Sequence, residues 1–328
     1  MSQPSDAVRP EVTGLAPYNA GLTIAEVVAR YAPARIAKLG SNENPVGPAP
    51  QVASAVAAAV TALRLYPDPA GRDLRRALAE HAGVAAERIM IGNGSEDLLA
   101  ILARATLRPG DRVVTLYPSF PLHEDYATLM GATVERVAVR ADLTIDVEAL
   151  VAATAAPCRM LIFANPMNPV GSWLSGPDLR RVLAAVGPDT MVVVDEAYAE
   201  YAAGPDYPSA AALLEGAAHP WVVLRTFSKA YGLAALRVGW GLFADAVLRD
   251  LVDRVRTPFN VNAVAQAAAV AALADGAHLA GVVTRTVAER VRMAEALARL
   301  GVTVAPSKGN FLFFDCGGDA TAFAEALL

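Results

Sequence analysis

The chain has 328 residues, of which 54% are hydrophobic, and its formal net charge is -5. This length allows one large domain with a smaller partner, and the composition supplies enough apolar side chains for a sizeable core. The charged residues form no long run of one sign, which argues against a nucleic-acid or anionic membrane partner. The longest apolar stretches, such as residues 52–63, are too short to span a bilayer, so no membrane partner is expected.

The cysteines and histidines restrict the chemistry further. Cys158 and Cys316 are isolated from each other, which fits two ordinary thiols in a reducing cytoplasm. The four histidines are scattered without the spacing of metal ligands, so no metal site is predicted. Residues 1–11 are polar and lack the pattern of a signal peptide. These features together favour a cytoplasmic protein.

Short apolar runs alternate with helical segments after an N-terminal arm that extends to about residue 39. The runs lack polar alternation, which is typical of strands buried on both faces. They cover residues 88–91, 112–116, 160–164, 191–194 and 221–224. Helices between these runs favour crossover connections, so the predicted fold class is α/β, with a mostly parallel central sheet flanked by helices. In such sheets ligands bind beyond the carboxyl ends of the strands.

The rest of the chain predicts a smaller α/β domain. Residues 244–300 read as helical, with apolar residues at helical spacing in 263–273 and 283–300, and Gly301 is a plausible stop. Short strands are predicted at residues 302–304 and 311–314. We therefore expect three parts, namely an arm that joins the small domain (1–39), a large domain (40–255) and an apparently incomplete small domain (256–328).

A glycine-rich turn follows the first predicted strand. Gly92-Asn93-Gly94-Ser95-Glu96-Asp97 precedes an apolar helix over residues 98–107. Glycines let the backbone approach an anion, and a helix amino terminus offers free N–H groups and a positive dipole end. A turn with a serine cap would explain the same residues. Because Ser228 and Arg237 are also available, we favour a phosphate-binding cup that includes Gly94, Ser95 and Glu96.

Two further motifs follow strand ends. Tyr117 comes directly after the second predicted strand, where its ring would either stack on a ligand or fill the core. Residues 165–171 read Asn-Pro-Met-Asn-Pro-Val-Gly, a rigid turn in which two prolines fix φ and a glycine closes the turn. Asn168 is placed to donate a hydrogen bond to a ligand oxygen, and a capping asparagine is the structural alternative.

The most specific pattern lies later in the chain. The run 191–194 ends in Asp195-Glu196-Ala197-Tyr198, and Ser228-Lys229 precedes Arg237-Val238-Gly239. A lysine alone is a weak signal, because most lysines are surface residues. After a strand and downstream of Asp195, however, Lys229 is predicted to be an amine nucleophile and a proton carrier. Glu196 and Glu200 are interpreted as structural or solvated.

Together these residues resemble the site of a pyridoxal 5'-phosphate enzyme of fold type I, and more narrowly that of the histidinol-phosphate aminotransferases. Segments that match in order and spacing cover nearly the whole chain. They are residues 38–48, 65–68, 92–98, 165–171, 194–201, 226–241, 258–262 and 309–312. The resemblance implies that histidinol phosphate and 2-oxoglutarate react to give imidazole-acetol phosphate and glutamate, a step of histidine biosynthesis. The implied partners are thus a small amino donor and a 2-oxo acid.

The resemblance also implies how the cofactor is held. Lys229 would form a Schiff base with the cofactor aldehyde and later move a proton. Asp195 would face the pyridine nitrogen and keep it protonated, so that the ring can accept electrons. Ser228 and Arg237 would bind the cofactor phosphate, and Tyr117 would stack on the pyridine ring.

Further roles are implied for the substrate and for a second subunit. Asn168 and Tyr198 would share the phenolic oxygen of the cofactor. The family forms a homodimer with the site at the interface, and Tyr66 would reach the phosphate of the partner's cofactor. Asn44 would contact the carboxyl region of the substrate, and Tyr18 would lie near the substrate phosphate.

Several alternatives stay open. The same scaffold carries aromatic amino-acid aminotransferases and threonine-phosphate decarboxylases, and a non-catalytic cofactor-binding remnant is also possible. Met167 and Val170 depart from the family's usual turn but are expected to point away from the reaction. The family continues beyond the segment at 309–312 with the arginine that binds the substrate carboxylate, so no residue is assigned that role here. We therefore expect the natural gene product to extend past Leu328.

Overall fold

A seven-stranded sheet forms the centre of the computed structural model, which describes residues 7–328. Its strands are β1 (Ile89–Gly92), β2 (Arg112–Tyr117), β3 (Thr133–Ala138), β4 (Met160–Ala164), β5 (Met191–Asp195), β6 (Trp221–Thr226) and β7 (Gly239–Phe243). Their order across the sheet is β1-β7-β6-β5-β4-β2-β3. β7 runs antiparallel to both of its neighbours, and the other pairs are parallel. The predicted, mostly parallel α/β sheet is therefore confirmed.

Helices cover both faces of this sheet. In chain order they are α1 (Pro10–Thr13), α2 (Ile24–Tyr31), α3 (Pro50–Val60), α4 (Arg72–Ala82), α5 (Ser95–Thr106), α6 (Pro121–Leu129), α7 (Val147–Ala155), α8 (Gly176–Ala185), α9 (Ala199–Ala202), α10 (Ala210–Leu214), α11 (Ala246–Asp253), α12 (Ala263–Leu273), α13 (Gly276–Arg299) and α14 (Ala320–Ala326). Alternate strand residues face two separate apolar clusters, one with Phe163 and Trp221 and one with Leu102 and Phe243. Burial on both faces explains why the strands read as unbroken apolar runs.

Two strands were not predicted from the sequence. β3 is an edge strand whose polar residues are mostly exposed, so it lacks the apolar run of a central strand. β7 reads Gly-Trp-Gly-Leu-Phe, and glycine is depleted in strands. Here Gly239 permits a close approach, because a Cβ at this position would lie only 2.4 Å from the backbone nitrogen of Ser95. β7 therefore lies directly against the turn that starts α5.

The segment after β7 is mostly helical, as predicted. α13 contains the predicted helix but begins at Gly276, and it is followed by the two short strands β8 (Thr303–Val304) and β9 (Phe314–Asp315). The predicted strand at 311–314 is largely wrong, since only Phe314 belongs to β9. α12 packs on α3 and α4 of the large domain. The domain boundary near residue 255 stays a prediction, and the packing of α12 favours a later one.

The described residues contain neither a single membrane-spanning helix nor a metal-binding cluster. Within residues 7–328, no single helix has the length and apolar character to cross a membrane. α12 and α13 pass that test only as a pair, and they meet at 81°. In the same part of the chain no group of three or more His, Cys, Asp or Glu side chains could hold a metal ion.

Candidate active site

A cavity of about 380 Å³ opens where three neighbouring parallel strands end. Ala164, Asp195 and Thr226 line it from the carboxyl ends of β4, β5 and β6. The remaining lining residues come from the N-terminal arm, the start of α5 and the loops after the strands. They are Tyr18, Ser41, Glu43, Ser95, Glu96, Phe120, Asn168, Ala197, Tyr198, Ser228, Lys229, Ala234, Ala235 and Arg237. The cavity thus lies where ligands of such sheets are expected.

Lys229 projects into this cavity from the loop after β6. Its amine donates a hydrogen bond to the backbone oxygen of Ser41, at 2.9 Å, and lies 5.7 Å from the centre of the Tyr198 ring. Burial lowers the pKa of Lys229 to about 8, and the charge of Arg237 acts in the same direction. Asp195 and Glu43 partly offset this change. The neutral form of the amine is therefore much more populated near neutral pH than in an ordinary lysine.

Asp195 lies at the floor of the cavity and is almost completely buried. One carboxylate oxygen accepts the backbone N–H of Ala197 at 3.0 Å. The other lies 3.3 Å from Nε2 of His123, a buried side chain on α6. These contacts fix the carboxylate at the end of β5, where it can stabilise a positive charge on a ligand.

Two amides converge on the Tyr198 hydroxyl. Asn42 and Asn168 donate to this oxygen from distances of 3.1 and 3.2 Å. Burial raises the pKa of Tyr198 above its ordinary value, so the phenol keeps its proton. Because the hydroxyl accepts from both amides, its own proton is free to point to a ligand in the cavity.

The part of the cavity around Arg237 and the start of α5 is suited to an anion. Arg237 lies 3.4 Å from the Ser228 hydroxyl and 3.4 Å from Glu96. α5 begins beside it, and its N-cap Gly94 has φ +82° and offers no side-chain cap. A Cβ at Gly94 would lie 2.5 Å from Nη2 of Arg237, so glycine makes room for the guanidinium. Free N–H groups at the start of α5, the Ser228 hydroxyl and Arg237 together can bind a phosphate.

These groups fit the cofactor that the sequence resemblance implies. Arg237, Ser228, Ser95 and the turn at Gly94 would hold the phosphate, and the Asp195 carboxylate would face a protonated ring nitrogen. The Lys229 amine lies in the same cavity, as an aldehyde-bearing ligand requires. The cavity therefore offers an anion site for the phosphate of pyridoxal phosphate, a carboxylate for its ring nitrogen and an amine for its aldehyde.

Tyr117 is one predicted site residue that the structure places elsewhere. It does not line the cavity, and its ring lies under the guanidinium of Arg136, 5.0 Å away. Thr115 pairs with Arg136 across β2 and β3, and Tyr117, two residues on, shares that face of the sheet. Phe120 lines the cavity instead. The stacking role implied for Tyr117 stays a prediction, and Phe120 is a second candidate for it because its ring lines the cavity.

Asn44 and Tyr66 also lie away from the lining of this cavity. The Asn44 amide donates to the backbone oxygens of Gly47 and Ala230, at 3.2 and 3.1 Å, so it holds the arm beside Lys229. Its contact with the substrate stays a prediction, and the side chain is held in place by these backbone contacts. Tyr66 is 81% exposed and stacks on Phe259, with ring centres 4.6 Å apart.

Some residues in and around the cavity were not identified from the sequence. Phe120 could have been noticed as a second aromatic residue beyond the Tyr-Pro turn. His123 is a single histidine on a helix, and nothing local indicates that it reaches Asp195. Ser41, Asn42 and Glu43 belong to a matched segment, but their approach to Lys229 and Tyr198 depends on how the arm folds back over the sheet.

Comparison with known proteins agrees with this geometry. The model of the family described as aminotransferase class I and II matches residues 34–328. Histidinol-phosphate aminotransferase 1 of Mesorhizobium japonicum is 62% identical over 328 residues, which cover 100% of this chain and 89% of the relative. Histidinol-phosphate aminotransferase 3 of Rhizobium meliloti is 56% identical over the same shares of the two chains.

A solved structure gives the same result. The crystal structure of histidinol-phosphate aminotransferase from Sinorhizobium meliloti in complex with pyridoxal-5'-phosphate has a TM-score of 0.86 and 32% identity, and the match covers 96% of this chain and 84% of that chain. The resemblance and the fold type inferred from the motifs are therefore confirmed. The chain belongs to the class I and II aminotransferase family.

Proposed function

We propose that the protein is a pyridoxal-phosphate-dependent aminotransferase that exchanges the amino group of histidinol phosphate with 2-oxoglutarate. The half-buried amine of Lys229 carries the proposal, because it shares one cavity with Asp195 and with the anion-binding groups around Arg237. The substrate follows from the full-length relatives at 62% and 56% identity. Histidine biosynthesis is the corresponding pathway.

Different residues of the chain bind the cofactor, stabilise its charge and transfer the proton. When bound, pyridoxal phosphate supplies a ring that withdraws electrons from the substrate's α-carbon. Arg237, Ser228 and the start of α5 bind the phosphate end and fix the orientation. Asp195 supplies the negative charge at the floor of the cavity. The Lys229 amine, neutral in part because burial lowers its pKa, can take a proton from the α-carbon and deliver it to a second carbon, as amino transfer requires.

Tyr198 and Phe120 complete this arrangement. The Tyr198 proton is oriented by the two amides of Asn42 and Asn168, so it can donate to an oxygen beside the Lys229 amine. The ring of Phe120 lies on the cavity wall and supplies an apolar face for an aromatic ligand. Tyr18 lines the same cavity and is 62% exposed, which supports its proposed contact with the substrate rather than with the cofactor.

Two experiments test the proposal. Borohydride reduction of the cofactor-loaded protein should attach the cofactor to the peptide that contains Lys229, and attachment to another lysine would contradict the assignment. Side-by-side turnover of histidinol phosphate and phenylalanine with 2-oxoglutarate should favour the phosphorylated substrate. A preference for phenylalanine would indicate an aromatic aminotransferase, and no amino transfer a cofactor-binding remnant. Release of carbon dioxide from threonine phosphate in a parallel assay would indicate a lyase.

We further propose a cytoplasmic homodimer that shares its sites between subunits. Cys158 and Cys316 are half-buried free thiols, which is compatible with a reducing compartment. Tyr66, with Phe259 stacked on it, projects away from its own cavity and is available to a second copy. Large exposed aromatic residues of this kind are typical of interfaces.

A further inference from the structure

Glu43 occupies a fixed position at the mouth of the cavity. It lies in the arm segment between α2 and α3, whose neighbouring residues are tied to the loop that carries Lys229. The backbone oxygen of Ser41 accepts the Lys229 amine at 2.9 Å, and the Asn44 amide donates to the backbone oxygen of Ala230 at 3.1 Å. The carboxylate of Glu43 is therefore held near the reacting amine by anchors on both sides.

The other carboxylates of the cavity already have partners that serve the cofactor site. Asp195 is buried and receives the N–H of Ala197, and it lies beside His123. Glu96 lies 3.4 Å from Arg237, next to the anion-binding end. Glu43 also lines the cavity; it differs from Asp195 because its side chain is 45% exposed, and from Glu96 because its ion-pair partner is Lys38 and not Arg237.

Lys38 pairs with Glu43 on the outer side of the arm. The amine of Lys38 contacts Oε2 of Glu43, and Lys38 itself does not line the cavity. This pair neutralises part of the carboxylate charge, yet a second oxygen is available to accept a hydrogen bond. The mouth therefore presents an acceptor to whatever part of the substrate remains outside the cofactor site.

The proposed substrate has a group that matches this acceptor. Histidinol phosphate consists of an amine, a phosphate ester and an imidazole, and the imidazole carries an N–H donor and gains a second when protonated. We propose that Glu43 binds the imidazole ring and thereby selects it over a phenyl ring of similar shape. The inference rests on the proposed function, and it assigns to Glu43 a role in substrate recognition.

The test compares two substrates in one variant. Glu43→Gln keeps the size of the side chain and removes its charge. The ratio of kcat/KM for histidinol phosphate to that for its phenyl analogue, 2-amino-3-phenylpropyl phosphate, should fall about 10- to 100-fold, the range of a hydrogen bond to a charged group. The loss should lie mainly in KM. Glu43→Asp, which keeps the charge, should retain part of the preference.

Lys38→Gln is the matched control, since it breaks the same ion pair and leaves the carboxylate in place. It should keep the substrate ratio of the wild type. If Glu43 only anchors the arm, then Glu43→Gln and Lys38→Gln will affect both substrates alike, and the inference is overturned. Absence of histidinol phosphate turnover in the wild type would overturn the proposed function as well, whereas normal turnover with an unchanged ratio in Glu43→Gln overturns this inference alone.

Discussion

At the scale of single residues, the surroundings of Lys229 explain why this lysine differs from a surface lysine. An ordinary lysine has a pKa of about 10.4 and is almost fully protonated at neutral pH. Burial in the cavity lowers the pKa of Lys229 to about 8. The sign follows from the charge type, because desolvation penalises the protonated amine and so favours its neutral form.

We predict that this pKa is measurable in the cofactor-free protein. Trinitrobenzenesulfonate reacts with neutral amines, so labelling of the Lys229 peptide should rise through a midpoint near pH 8. The peptide with Lys38, an exposed lysine of the arm, is the reference in the same digest. Labelling of Lys229 that begins at no lower pH than that of Lys38 would show that the cavity does not shift its pKa.

The second prediction concerns Asp195. Asp195→Ala should reduce turnover by about 10²- to 10³-fold, since a fixed charge aimed at a developing charge typically contributes that much. Cofactor affinity, measured separately by absorbance titration, should fall less, because the phosphate contacts remain. Asp189→Ala removes an exposed carboxylate and serves as the control. Near wild-type turnover of Asp195→Ala would mean that the carboxylate only caps the turn after β5.

At the scale of elements, a buried ion network joins the loops that carry Asp195 and Lys229. Arg225 of β6 donates from Nε to Glu196 at 2.8 Å and from Nη1 to Glu200 at 3.4 Å. The Glu196 carboxylate also accepts the Ser209 hydroxyl at 3.0 Å. The Glu196 side chain is completely buried, so these contacts replace the water that its carboxylate would otherwise bind. Neither glutamate lines the cavity, and their role is to hold the strand ends together.

Removal of the arginine should therefore be costly. Arg225→Met leaves the buried Glu196 and Glu200 carboxylates without their cation, and a broken buried pair costs about 3–5 kcal/mol. Urea unfolding followed by circular dichroism measures the loss. Arg181→Met is the control, since its pair with Glu148 lies on the surface and should change stability little. Equal effects of the two variants would show that the network does not stabilise the fold.

At the scale of the whole molecule, the prediction concerns assembly. Tyr66 is far more exposed than the cavity residues, and it stacks on Phe259 away from its own cavity. The shared-site proposal therefore requires a second copy to complete each active site. Sedimentation at several concentrations should give the mass of a two-fold dimer.

Complementation tests the shared site directly. Lys229→Ala and Tyr66→Ala should each have low activity, because one lacks the amine and the other lacks a contact to the partner's phosphate. Mixed and reassociated, they should form heterodimers with one intact site, so activity should rise above that of either variant alone. A monomeric mass together with no recovery would count against the shared site.

The sequence alone determined the fold class and most of the cofactor site. Unbroken apolar runs placed five strands in a parallel sheet, and polar residues at their ends predicted Asp195, Ser228 and Lys229 in one cavity. Such predictions succeed because a strand end and the residue after it are adjacent in the chain. Arg237 was predicted from the same segment of the chain, because it follows Ser228 and Lys229 closely and precedes Val238 and Gly239.

Contacts between distant segments were decided only by the tertiary structure. The approach of His123 to Asp195, the contact of Tyr117 with Arg136 and the position of Glu43 in one cavity with Lys229 join residues far apart in the chain. Local patterns report burial and turns, whereas these contacts depend on the register between β2 and β3, on the packing of α6 and on the path of the arm. Gly239 of β7 shows the same limit, because its value lies in the close approach of the Ser95 turn.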